Sequence, residues 1–174
     1  MEPVKVAIVG CGFMGRMHAN VYGMIDQAQL VAVCDKSSDR AATYAGEFGA
    51  KPYTDFDQMV ATEALDAVDV CLPTHLHSEY VVRAAKAGKH VCCEKPMALN
   101  AAQASEMIAA CDEANVRLMI AHCIRFWPEY AYLRKLVDDG TLGKLISINL
   151  TRFGEFPSWS SENWLADESR SGGG

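Results

Sequence analysis

The chain has 174 residues, half of them apolar and 22% charged, a balance that fits a folded domain and excludes a disordered segment. Its net charge of −6 argues against nucleic acid or an anionic membrane surface as a partner. No apolar run approaches the roughly 20 residues of a membrane span. The first strand starts so near the N-terminus that no signal peptide is expected.

Val4, Val6, Ala7, Ile8 and Val9 form a nearly continuous apolar run, as expected of a parallel strand buried on both faces. Gly10-Cys11-Gly12-Phe13-Met14-Gly15 follows at once as G-x-G-x-x-G. The first glycine permits a tight turn, the second lets backbone approach a pyrophosphate, and the third allows close helix–strand packing. The helix opening there, to about Met24, presents free N–H groups and a positive dipole end to an anion. Leu30 to Cys34 reads as the second strand, and Asp35 ends it, twenty residues beyond Gly15. An acid at that place accepts hydrogen bonds from the adenosine ribose and repels a 2′-phosphate, which favours NAD over NADP. Lys36 partly offsets that repulsion, so NADP stays possible. The plainer role for Asp35 is a turn or helix-capping residue.

Ser37 or Ser38 caps a helix through Phe48, stopped by Gly49. Lys51 to Tyr53 is a short strand, placed near an edge by Pro52. Asp55 to Ala61 is helical, and Ala67 to Leu72 is the fourth strand, followed by Pro73-Thr74-His75-Leu76-His77. A helix from Ser78 to Ala87 stops at Gly88. His90 to Glu94 is the fifth strand, followed by Lys95-Pro96. Asn100 with Gln103 resembles a capping box for a helix to Ala114. Arg117 to Ala121 is the sixth strand, and Pro128 starts a helix to about Asp138. Six apolar runs alternating with helices specify a doubly wound parallel sheet of the α/β Rossmann class, in strand order 3-2-1-4-5-6. Leu145 to Phe153 alternates instead, predicting a half-buried strand of a different sheet. Glu155 to Gly174 has no periodicity and reads as loop. The organisation expected is a dinucleotide-binding domain over residues 1–122 and the start of a second, α+β domain over 123–174.

The seven cysteines are odd in number, lack C-x-x-C spacing and fall mostly in predicted strands. They read as small buried hydrophobes in a reducing cytoplasm.

Ligands of such a sheet lie beyond the carboxyl ends of its strands. The glycine loop, Pro73 to His77 and Glu94-Lys95-Pro96 meet there. Lys95 is the candidate catalytic residue: at a strand end facing a nicotinamide, its ammonium would hydrogen-bond a reacting hydroxyl and stabilise the alkoxide. Otherwise it is a surface lysine. Pro96 fixes the chain direction, and a cis bond before it would aim Lys95 inward. Glu94 would anchor the lysine or a ribose hydroxyl. His77 would contact cofactor or substrate, or simply open its helix. His18, His75 and His90 read as structural. His75 and His77 at i, i+2 build no metal site without further ligands, so none is expected. His122, Arg125 and Phe126 follow the sixth strand, where Arg125 would hold a polar substrate or pair with a carboxylate.

The glycine loop, Pro73-Thr74-x-x-His77, Glu94-Lys95-Pro96 and His122-x-x-Arg125-Phe126 together resemble the glucose–fructose oxidoreductase/inositol dehydrogenase (Gfo/Idh/MocA) family, in the family's order. Asn163-Trp164-Leu165 and Ser171-Gly172-Gly173 look like that family's early second domain, closest to inositol-type members. The resemblance implies hydride transfer between a sugar or cyclitol hydroxyl and NAD(P), with a lysine like Lys95 beside the nicotinamide and substrate. Phe13, Met14, Leu72, Pro73 and Thr74 would line the cofactor, and His122, Arg125 and Trp164 the substrate. It also implies a chain about twice as long, a homo-oligomer, and a proton-accepting histidine after the glycines matching Gly172-Gly173. On that basis this chain alone is expected to fold its dinucleotide domain, bind NAD weakly and turn over poorly. The alternative is a non-catalytic NAD-binding module or scaffold.

Overall fold

A computed structural model describes residues 2–155, 157 and 159–173. Six parallel strands form one sheet in the order β3-β2-β1-β4-β5-β6. They are β1 (Val4–Val9), β2 (Ala28–Cys34), β3 (Lys51–Tyr53), β4 (Ala67–Val70), β5 (His90–Cys93) and β6 (Leu118–Ile120). Five helices connect them: α1 (Phe13–Tyr22), α2 (Ser38–Phe48), α3 (Phe56–Thr62), α4 (His77–Lys86) and α5 (Ala101–Glu113). This is the doubly wound arrangement expected, and element ends agree with the sequence reading to within a few residues.

The local signals behave as chemistry dictates. Ser37, Asp55 and Asn100 each accept a backbone N–H at the start of their helices, and Gly49 ends α2 in the left-handed conformation. The continuous apolar character of the central strands has a simple cause: both faces are covered. Ile8 and Val33 pack under α1 and α2 with Ala19, Tyr44 and Ala45. Ala7, Val9, Ala32, Val68 and Val70 pack against α3, α4 and α5 with Met59, Val81 and Met107. Five of the seven cysteines are buried, Cys92 is half-buried and Cys123 exposed, and all are free thiols. Burial pushes the Cys11 thiol up to about 12 and Cys34 to about 11, so they are inert hydrophobes.

The chain divides into two compact units, Met1–Ala121 with Ser158–Gly174, and His122–Pro157. The second contains α6 (Pro128–Asp138), where Trp127 meets Tyr130 edge-on and Arg152 lies over the Trp127 ring. Two sequence expectations fail. Leu145 to Phe153 is not a strand: Ile146 and Phe153 are each more than nine-tenths exposed. Alternation assigns side chains to faces but supplies no neighbour, and no described strand pairs with this stretch. The expected loop from Glu155 onward also contains a 3₁₀ segment, Ser161–Ala166, and a short helix α7 (Glu168–Ser171) capped by Asp167.

Candidate dinucleotide site at the carboxyl edge of the sheet

The glycine loop is built as the spacing predicts, with a different constraint at each glycine. Gly10 has φ +101°, and a Cβ there would lie 2.5 Å from the Cys71 carbonyl oxygen. A Cβ on Gly15 would run into the Gly10 carbonyl. Gly12 faces open space and precedes α1, whose first turn has no side-chain cap. The first N–H groups of α1 are therefore left for an anion. Tyr44 donates its hydroxyl to the Gly12 carbonyl at 2.5 Å, so α2 braces the loop from behind.

Asp35 is 8% exposed at the end of β2. Its Oδ2 accepts the Cys11 N–H at 2.9 Å, and its Oδ1 accepts the Ser37 N–H at 2.8 Å. The same Oδ1 accepts Arg40 Nη2 and Nε at 2.8 and 3.2 Å. Asp35 thus fastens the glycine loop to β2. Its hydrogen bonds to Arg40 keep that guanidinium protonated. The sequence reading missed Arg40, although it lies one helical turn past Ser37. Lys36 is exposed and pairs with Glu162 at 2.9 Å.

At the end of β4, Leu72 and Pro73 lead into a 3₁₀ turn, Thr74–Leu76. Thr74 is buried, and its Oγ1 has no partner among the described residues. His77 opens α4, the plainer of its two expected roles. It is 1% exposed, with Nδ1 2.8 Å from the Pro96 carbonyl and Nε2 2.8 Å from that of Leu72. A neutral ring donates to only one of these carbonyls at a time, and the buried imidazole packs between the β4 loop and the β5 loop. Burial lowers its pKa, and the carbonyls only partly oppose that.

At the end of β5, Glu94 is buried and Lys95 is exposed on the rim, with a cis Lys95–Pro96 bond. The Lys95 N–H donates to Glu94 Oε2 at 3.0 Å. Glu94 Oε1 faces His18 Nε2 at 3.0 Å, and His18 Nδ1 faces Asp69 Oδ2 at 2.7 Å. Tyr22 donates its hydroxyl to the same Asp69 oxygen at 2.9 Å. Burial alone would lower the His18 pKa, but hydrogen bonds to Asp69 and Glu94 outweigh it and raise it to about 10. His18 is therefore an imidazolium clamped between two buried carboxylates, linking α1, β4 and β5. The sequence reading took it as structural without seeing this network. The one available signal was Asp69, an acid inside the apolar strand Ala67–Val70. His18, Asp69 and Cys71 offer atoms within 4.8 Å of one another.

Residues 159–173 pack on this same rim. Trp159 stacks on Phe13 of the glycine loop, ring centroids 4.7 Å apart. Arg170 Nη2 lies 3.3 Å from Glu162, and α7 rests on the Thr74–Leu76 turn. Trp164 is half-buried within this segment. His122 and Arg125 are exposed at the start of the second unit.

The sheet order, the glycine loop and the acid at the end of β2 define a dinucleotide-binding Rossmann domain. The chain belongs to the Gfo/Idh/MocA oxidoreductase family: residues 4–122 match that family's NAD-binding Rossmann-fold model. The 2,7-anhydro-N-acetylneuraminate hydratase of Mediterraneibacter gnavus is 34% identical, over 99% of this chain and 46% of its own. The myo-inositol 2-dehydrogenase of Thermotoga maritima is 37% identical, over 85% of this chain and 45% of its own. The WlbA dehydrogenase of Bordetella pertussis, solved with NADH and UDP-GlcNAcA, superposes with a TM-score of 0.79 at 30% identity, over 82% of this chain and 45% of that one. The chain thus spans about half the length of the relatives it matches. No described helix is long and apolar enough to cross a membrane.

Proposed function

We propose that this chain is the cofactor-holding half of an NAD-dependent dehydrogenase acting on a secondary hydroxyl of a sugar or cyclitol. The reading rests on one juxtaposition. The uncapped start of α1 at Gly12, the Asp35 carboxylate and Lys95 all stand at the carboxyl edge of one parallel sheet. The residues fit a dinucleotide. A Cβ is excluded at Gly10 and Gly15, open space lies at Gly12, and the buried Thr74 hydroxyl after β4 has no partner among the described residues.

The α1 N–H groups at Phe13 and Met14 would take the pyrophosphate, with Leu72, Pro73 and Thr74 alongside. Asp35 would face the ribose hydroxyls. When bound, the nicotinamide supplies the hydride acceptor or donor. Lys95 would donate a hydrogen bond to the reacting oxygen and stabilise its negative charge as the C–H bond breaks. Glu94 holds the Lys95 backbone, and the His18 imidazolium holds Glu94. The hydroxyl proton would pass to a base in a second half of the kind these longer relatives have. His122, Arg125 and Trp164 are proposed for the sugar side. A homo-oligomer and a cytoplasmic setting fit the family and the free thiols.

Titration with NADH, followed by nicotinamide fluorescence, tests this. The chain is expected to bind NADH saturably, and Asp35→Ala to weaken binding about tenfold, the value of roughly one charge-assisted hydrogen bond. Absence of NADH binding by the folded chain would refute the proposal.

A further inference from the structure

An acid at the end of β2 ordinarily repels a 2′-phosphate. Here that acid is already covered by a cation, since Arg40 places Nε and Nη2 on Asp35 Oδ1. Arg40 uses one edge of its guanidinium for this, and its side chain is 43% exposed. Lys36, the next residue after Asp35, is a second cation at the same strand end. The two cations outweigh the one carboxylate by a unit charge. Taken alone, this end of β2 would accept a phosphate monoester, because a guanidinium fork and an ammonium beside each other are a common phosphate-binding pair.

What changes the balance comes from outside the βα core. Glu162, within the 3₁₀ segment Ser161–Ala166, places Oε1 2.9 Å from Lys36 Nζ. Its other oxygen is 3.3 Å from Arg170 Nη2. Glu162 is also close enough to Arg40 to help keep that guanidinium protonated. The segment is fixed on the rim at other points, by Trp159 on Phe13 and α7 on the Thr74–Leu76 turn.

We infer that Glu162 is a specificity-determining residue for the cofactor: it occupies Lys36 and disfavours a 2′-phosphate, so that the choice of NAD over NADP rests on Glu162 together with Asp35. The inference rests on the dinucleotide-site reading above and extends it to a residue far from the fingerprint in sequence. It does not need the Lys36–Glu162 pair to stabilise the fold. Both side chains are more than half exposed, and such pairs contribute little to folding. It needs only the sign of the charge. A phosphate monoester carries about −1.5 to −2 charges. One carboxylate within several ångströms of it is worth about five- to tenfold in affinity at solvent-exposed distances.

The experiment is a paired titration of the 174-residue chain with NADH and NADPH, for wild type and Glu162→Gln, with thermal unfolding to confirm equal folding. The wild type is expected to bind NADH more tightly than NADPH. Glu162→Gln is expected to tighten NADPH about five- to tenfold and leave NADH within twofold. Lys36→Gln in the Glu162→Gln background should remove that gain, and raising salt should shrink it. An unchanged NADPH/NADH ratio in Glu162→Gln, with NADH still bound, would overturn the inference while leaving the site reading intact. An equal shift for both cofactors would also overturn it, since it would mean that the segment had merely loosened. A folded wild type that binds neither cofactor would overturn the site reading and this inference with it.

Discussion

Two acids stand at two strand ends of the same sheet, and they are held in opposite ways. Asp35, after β2, and Glu94, after β5, are 8% and 6% exposed. Asp35 is met by backbone N–H groups and by a guanidinium that is about half exposed. Glu94 is met by the Lys95 backbone N–H and by His18, a mostly buried imidazolium that also serves the fully buried Asp69. The first arrangement is adjustable: its one described cation is half-exposed, and backbone N–H groups hold the acid beside it. The second is locked, because removing its one cation strands two carboxylates in the interior. The cofactor contacts proposed for Asp35 thus lie beside a half-exposed cation, and the backbone of the lysine rim beside a buried one.

The largest effect should come from breaking the locked side. His18→Phe is expected to destabilise the fold by about 3–5 kcal/mol, the usual cost of leaving buried charges without their partner. Urea unfolding measures it, and a loss below about 1 kcal/mol would show that the network is not a buried ion cluster. The same residue sets a pH dependence. Its folded pKa, about 10, lies above its ordinary value of 6.5. Its stabilisation is therefore fully present below pH 6.5 and lost as pH rises toward 10. Stability of the wild type should fall across that interval beyond the fall seen in His18→Phe. Parallel pH profiles would contradict a charged His18. On the adjustable side, Arg40→Gln is expected to cost only about 0–1 kcal/mol of stability, because Arg40 is partly exposed and the Cys11 and Ser37 N–H groups still hold Asp35. A loss as large as that of His18→Phe would erase the contrast between the two acids.

The adjustable side was the more legible of the two. Gly10, Gly12, Gly15 and Asp35 lie within one βαβ unit, and their spacing encodes backbone constraints that operate locally. The glycine clashes with the Cys71 and Gly10 carbonyls are the physical content of that spacing. The locked side joins residues 51 and 76 positions apart. No local periodicity links His18 to Asp69 or Glu94, and only the acid inside β4 hinted at a buried counter-charge. His77 was half legible: its place at the start of a helix follows from the sequence, whereas the two loop carbonyls its nitrogens face do not. Leu145 to Phe153 shows the limit from the other direction. Its alternation is plain, but a strand needs a neighbour as well as a pattern.

The most direct test of the account is NADH titration of Gly12→Ala beside the wild type. The Gly12 backbone is extended, and a Cβ there meets no protein atom within 4 Å, so the variant should fold with unchanged stability. The added methyl would enter the space at the start of α1 that the pyrophosphate is assigned to occupy. The account predicts NADH binding at least tenfold weaker at equal thermal stability. Wild-type affinity for NADH in folded Gly12→Ala would contradict it.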